Sequence, residues 1–476
     1  MSYALYIGKN HSRTGHAWLA GYGDEPSSHW LEIVPAADHP VGATIEVGVG
    51  PEADMPGRRI RVPQARHSLR HMRVSYSYYL GVPAPITNGG VNEAGVAVRD
   101  VWSTSRAELR GMTPKDQAGF NYSDLARTVL ERATSARDAV ELCARLIAEH
   151  GEATYGGNSH IFADADEAWV MIQFAGGQGL WVAERLGADS IRASRPGYVL
   201  EVPVGEPDHP DFLYSQNFVS FAREHGWYDE GPFDANAMYG DGKGRWDGIQ
   251  WVEAEMQARA ARPEKIGVED MIWAVRTEKL TGDTAGYGQV VPLVHAADPA
   301  LRIVWHAACG ALAAPFSPVF LGQDTIPLEY GPHRYLTAGE SHRFLDMRKA
   351  VSGGHDTVSL VSQISETTVG AFQDCKRLMH LMQLLGIDSL APVHHAFSKR
   401  EAHLDALTQA HLRVAEAAIR SGSREDAVAV LSAFSNSELT FALSLVRSLA
   451  TGLSVQATDL SSMEMPGSLK SFEQIW

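Results

Sequence analysis

Ser2-Tyr3-Ala4-Leu5-Tyr6-Ile7-Gly8-Lys9, directly behind Met1, is the stretch whose reading decides the fold. Tyr3 to Gly8 predicts an apolar strand that begins with no flexible leader. A strand that starts this early draws Ser2 into a sheet. Removal of an initiator methionine is favoured when the next residue is small, and serine is small. The mature chain then begins with a free α-amine on Ser2, whose unperturbed pKa is roughly 7.7–8.0. That amine takes the proton from its own Oγ, directly or through one water. One residue thus supplies both nucleophile and base.

Outward from this start the first hundred residues read as strands: Ala17 to Gly21 after a turn at Gly15, Met72 to Leu80, and Gly95 to Trp102 after a turn at Asn88-Gly89-Gly90. The period then changes. Ser123 is expected to cap one helix and Ser135 a second, with Asp138 three residues on and Gly151 as its stop. Strands resume at His160–Ala163, Ala168–Phe174 and Leu180–Glu184. Phe212–His225 reads as a helix ended by Gly226. Residues 355–450 are strongly helical, including Leu404–Ile419 and Ala427–Leu449. Strands, a helical pair and strands again predict an α+β layered core rather than a βαβ repeat. The expected division is a core over 2–330, with 205–210 as a linker, and a mostly helical C-terminal region over 355–476.

Composition narrows the function. The 476 residues hold 41 Lys+Arg against 57 Asp+Glu, a net charge of −16. That excess argues against nucleic acid or an anionic membrane as partner. Ile303 to Gly322, broken by Gly310, Pro315 and Pro318, reads as buried core rather than a membrane span. The three cysteines, Cys143, Cys309 and Cys375, form no disulfide framework and have no zinc-ligand spacing. A cytoplasmic protein is expected. Phosphate-loop, serine-elbow and zinc-protease motifs are lacking, so no cofactor and no metal are expected. His67 and His71, four apart, read as part of a basic solvated edge rather than as ligands.

Several stretches resemble the dipeptidase–secernin family of N-terminal-nucleophile (Ntn) hydrolases. The opening Ser2-to-Lys9 segment resembles the family's mature start, where a cysteine leads an apolar strand ending in Gly-Lys. Gly90 to Val98 (GlyValAsnGluAlaGlyValAlaVal) is similar to its internal motif, and Ser123 to Leu142 to its helical pair. Ala163 to Val170 with Leu180 to Arg185 resembles its central hairpin. Tyr214 to Tyr228 and Pro315 to Gly322 extend the likeness in the same order. The resemblance implies a four-layer αββα sandwich and amide-bond hydrolysis on a small peptide or acylated amino acid.

The resemblance also assigns residues, with departures. Ser2 replaces the nucleophilic cysteine and depends more on its base. Asp24 matches the acid that holds the terminal amine, while the family's basic residue before it is gone. Val98-Arg99-Asp100 stands where the family continues its motif with Gly-Asn-Glu. Ser194-Arg195 replaces a Ser-Asn pair whose asparagine helps form the oxyanion hole. Arg245-Trp246 resembles the family's Arg-Trp region. Ser2 and Asp24 are therefore the expected catalytic pair, with Asn92, Arg99, Asp100, Arg195 and Arg245 in the substrate and oxyanion region. The arginines predict a substrate with a carboxylate. A small peptide or amide is the expected partner, with a homo-oligomer possible as well. A biosynthetic acyltransferase using the same acyl-enzyme is the alternative, and retention of Met1 would instead leave a non-catalytic scaffold.

Overall fold

The computed structural model describes residues 2–24, 29–51, 53–76, 82, 86–206, 208–282, 284–331 and 370–459. Its strands, in chain order, are β1 (Tyr3–Ile7), β2 (Ala17–Gly23), β3 (His29–Val34), β4 (Ala37–Asp38), β5 (Thr44–Val47), β6 (Ile60–Pro63), β7 (His67–Ser68), β8 (His71–Tyr76), β9 (Ile86–Asn92), β10 (Ala97–Trp102), β11 (Asn158–Ala163), β12 (Ala168–Gln173), β13 (Trp181–Leu186), β14 (Ile191–Ser194), β15 (Phe212–Tyr214), β16 (Tyr287–Leu293), β17 (Ile303–Ala307) and β18 (Ser317–Phe320). Its helices are α1 (Ala107–Met112), α2 (Tyr122–Arg132), α3 (Ala136–His150), α4 (Phe218–Glu224), α5 (Ala235–Tyr239), α6 (Asp247–Ala260), α7 (Val268–Arg276), α8 (Ala371–Leu385), α9 (Leu390–Arg420) and α10 (Arg424–Asp459).

Two antiparallel sheets face each other. One has six strands in the order β14-β1-β2-β16-β17-β18; the other has eight, β15-β13-β12-β11-β10-β9-β8-β3. All five residues of β1 are buried, and it is paired on both edges, with Leu5 opposite Ala20 of β2 and Ala193 of β14. An apolar strand flanked in this way has no free edge, so the residue before it is held at the end of the sheet. β10 packs across the gap onto β1 and β2. α2 and α3 cover the outer face of the eight-stranded sheet, and α6 and α7 pack on the six-stranded one. The molecule is thus mixed α+β, with antiparallel sheets between helices.

The helix pair forms for the expected reason, with one shift. Ser135 Oγ accepts the Asp138 N–H and Gly151 closes α3 at φ 85°. α2, however, is capped by Asn121, which makes a reciprocal capping box with Asp124. Ser123 instead accepts the N–H of Thr87 at 2.7 Å, tying α2 to β9.

Three other expectations change. Asn88-Gly89-Gly90 is not a turn but the middle of β9. A Cβ at Gly89 would stand 2.7 Å from Arg99 Nη1, 2.8 Å from Gln289 Oε1 and 2.9 Å from Tyr287 Oη, so this glycine makes room for a buried arginine. Phe212–His225 is not one helix. Phe212–Tyr214 adds a strand beyond β13, and α4 begins only at Phe218. His67 and His71 lie on β7 and β8, and only His67 is on a solvated edge. His67 Nδ1 meets Asp38 at 2.8 Å and the buried His71 bonds Leu69 O. Ile303–Gly322 is core built around β17 and β18, as expected. Among the described residues, Arg424–Ala457 of α10 is long and apolar enough to cross a membrane. It packs Leu431, Leu439, Leu443 and Val446 into the core beside β18, α8 and α9.

Residues 370–459 are helical, while an onset at 355 and residues beyond 459 lie outside the described residues. The buried Arg276–Glu401 pair joins α7 to α9, with Arg276 Nη1 2.7 Å from Glu401 Oε2. The three cysteines are buried thiols. Among the described residues no group of His, Cys, Asp and Glu is arranged to hold a metal ion.

Candidate active site

β1 delivers Ser2 to the end of the six-stranded sheet, where it is 5 % exposed. β2 runs antiparallel beside it, with Tyr3 opposite Tyr22, so the strand end brings Asp24 alongside Ser2. The Asp24 N–H donates to Ser2 Oγ at 3.4 Å. The Asp24 carboxylate accepts from the hydroxyl of Thr284, which lies just before β16, the other neighbour of β2. The arrangement needs Gly21. Its φ is 152°, and a Cβ there would lie 2.0 Å from Tyr3 O. Any larger residue would push β1 and the serine out of register.

Two guanidinium groups support the backbone of this corner. Arg195, just after β14, donates Nη1 to Ser2 O at 3.4 Å and lies 4.8 Å from the Trp246 ring centroid. It also sits beside Tyr22, whose hydroxyl donates to Leu280 O at 2.5 Å. Burial pushes the Tyr22 phenol well above its ordinary range, and the nearby Arg195 charge opposes part of that rise. Arg99 is fully buried between the sheets. Its Nη2 donates to Tyr3 O at 3.4 Å and its guanidinium lies 4.9 Å from the Tyr287 ring centroid. Burial likewise raises the Tyr3 phenol, helped by Tyr22 and Glu253.

Ser2 opens onto a narrow cleft lined also by Arg195, Pro196, Thr104, Asp241 and Trp246. Of the residues expected here, Ser2, Asp24 and Arg195 come together at this corner. Arg99 supports it from beneath without lining the cleft. Asp100 is buried next to it on β10, and strand alternation turns it to the opposite face from Arg99. Arg245 pairs with Glu253 of α6 and covers Tyr198 at 5.1 Å, while Trp246 beside it reaches the cleft. Glu253 also accepts the Ala193 N–H at 2.8 Å, so this pair docks α6 onto β14.

Asn92 is used elsewhere. Its Nδ2 donates to Ala133 O at 2.8 Å and its Oδ1 accepts the Val96 N–H at 2.9 Å, closing the β9–β10 turn through Gly95 at φ 96°. The asparagine that does face the inter-sheet space is Asn88, fully buried, accepting from the Tyr287 hydroxyl at 3.2 Å. Sequence reading missed Asn88 because its two following glycines look like a turn. It missed Thr284 and Asp241 because neither carries a spacing signal relative to Ser2.

Residues 77–246 match the model of peptidase family C69. Over 154 residues the chain is 30 % identical to a probable dipeptidase from Salmonella dublin, which covers 32 % of this chain and 34 % of the relative. The match therefore spans about a third of that relative's length. Among solved structures, penicillin V acylase from Agrobacterium tumefaciens is similar at 14 % identity, covering 67 % of this chain and 86 % of that one, with a TM-score of 0.37. A mutant conjugated bile acid hydrolase from Clostridium perfringens is similar at 11 % identity over 68 % of this chain and 94 % of that one, with a TM-score of 0.31. The matched segment holds β9, β10, the α2–α3 pair and Arg195, and over that segment the chain is similar to peptidase family C69.

Proposed function

We propose that the chain is an Ntn-type amidohydrolase, a four-layer αββα enzyme that cleaves a small peptide or acylated amino acid through Ser2. One observation carries the reading: a buried serine at the cleft-facing start of a central strand, with its Oγ against the Asp24 N–H. In this reading Met1 is removed and the Ser2 α-amine is the base. Asp24, fixed by Thr284, holds that amine. Ser2 Oγ attacks the amide carbon as its proton passes to the amine. The C–N bond breaks, the proton leaves with the departing amine, and water then cleaves the acyl ester. Arg195 stands where a donor to the oxyanion or to a substrate carboxylate is needed; one such donor is worth roughly 2.7–4 kcal/mol in the transition state. Three buried cysteines outside any disulfide support a reducing, cytoplasmic setting.

The test is turnover of unblocked dipeptides by Ser2→Ala and Ser2→Cys variants. Ser2→Ala is expected to lose turnover by about a thousandfold or more while melting at the wild-type temperature. Ser2→Cys keeps activity, because the thiolate is the better nucleophile. Full activity in Ser2→Ala would place the chemistry elsewhere.

A further inference from the structure

Two cavities meet at Asp241. The first is the cleft that Ser2 and Arg195 line; the second, a narrow one, opens beside it against Ile172 and Phe174, both almost fully buried. Asp241 lines both. Among the described residues lining the first cleft, it supplies the carboxylate and Arg195 the cation.

The loop that carries Asp241 presents it without committing it. It follows the end of α5, and Gly242 and Gly244 beyond it have φ of 77° and 69° with open space around them. The Asp241 side chain is 19 % exposed. Its Oδ1 accepts the Lys243 N–H at 3.0 Å, and Lys243 Nζ stands 3.9 Å from Oδ2 with its side chain 74 % exposed. An ion pair that open contributes little. An ionised carboxylate has about four acceptor sites, so capacity remains for a ligand.

An α-aminoacyl group carries three substituents on one carbon: the carbonyl to be attacked, an ammonium and a side chain. The corner offers a nucleophile, a carboxylate and an apolar pocket around one junction. We propose that Asp241 determines specificity by accepting hydrogen bonds from the substrate's ammonium, so that the cleft takes amides of unblocked, apolar α-amino acids. This rests on the reading of Ser2 as the nucleophile facing the same cleft. An N-acylated substrate brings no charge to Asp241 and leaves the carboxylate desolvated without a partner, which selects against it.

Calorimetric titration separates the two claims. Phenylalanyl-glycine and N-acetyl-phenylalanyl-glycine are titrated into Ser2→Ala protein and into the Ser2→Ala, Asp241→Asn double variant. The single variant is expected to bind the unblocked peptide at least tenfold more tightly. Asp241→Asn should weaken that binding tenfold or more and leave the acetylated peptide unchanged, while Asp241→Glu restores part of the preference. An equal loss for both peptides, no loss, or no binding of phenylalanyl-glycine overturns the proposal. Should Ser2→Ala still turn over substrate, the nucleophile assignment falls, yet the two affinities still decide the role of Asp241.

Discussion

The opening between α7 and α9 holds about 490 Å³, far more than the narrow cleft at Ser2, and it too is rich in charge. The two differ in what their charges do. In the larger opening Arg13 is paired with Glu269 and Arg276 with Glu401, while Arg276 Nε also donates to Ala311 O and Glu401 accepts the Phe316 N–H. Those groups are consumed in fastening the C-terminal helices to the core. At Ser2 the charged groups address the backbone of residues 2 and 3 and the surroundings of one hydroxyl. Cavity size here marks a seam between layers; the direction of the polar groups is what the proposed chemistry at Ser2 rests on.

The contrast breaks most sharply in paired variants. Where Ser2→Ala removes turnover and keeps stability, Glu401→Ala should do the reverse. Deleting one partner of the buried pair strands the Arg276 guanidinium and costs about 3–5 kcal/mol in denaturant unfolding. KM of the folded fraction should be unchanged. A Glu401→Ala enzyme that melts normally but loses substrate affinity would make the larger opening the site.

Within the cleft, charge reversal at Arg195 comes next. Arg195→Glu should raise KM about tenfold or more for a peptide with a free carboxylate, and much less for its amide, as one charge-assisted contact is exchanged for repulsion. Equal effects on both would make Arg195 a support for Ser2 O alone. Thr284→Val is a milder perturbation. It removes one hydrogen bond from the Asp24 carboxylate while keeping the backbone N–H on Ser2 Oγ, so kcat should fall about tenfold with KM nearly constant.

The smallest effect lies away from both regions. Burial lowers the His160 pKa to about 4, against the partial support of its bonds to Tyr122 O and Gln173. The unfolded chain binds this proton near pH 6.5. Between about pH 6.5 and pH 4 the unfolded state therefore holds the extra proton, and stability falls as pH falls, by up to about 1.4 kcal/mol per pH unit. His160→Gln should flatten that slope in melts run from pH 7 to pH 4.5. An unchanged slope would mean that His160 is not the neutral buried group its surroundings describe.

What the sequence made legible was local. The apolar run after Ser2, the Ser135 cap and the Gly151 stop are short-range signals, and each stands where expected. The α2 cap was displaced to Asn121 because Ser123 serves β9, a contact made 36 residues away. Asn88-Gly89-Gly90 failed as a turn for the same kind of reason: Gly89 answers to Arg99 from the neighbouring strand and to Tyr287 across the sheets, and Gly90 to the Met72 carbonyl of β8. Ser2, Asp24 and Arg195 were legible through a family pattern. Thr284 and Asp241 were not, since only the pairing of β2 with β16 and the end of α5 bring them to the corner.

The central claim is that Ser2 is both the first residue and the nucleophile. Intact mass before and after a short, acid-quenched incubation with an unblocked dipeptide tests it directly. The account predicts a chain that begins at Ser2 and gains the mass of one aminoacyl group, located on the N-terminal peptide after digestion. A chain that keeps Met1 while remaining active, or an acyl adduct on any other residue, would contradict it.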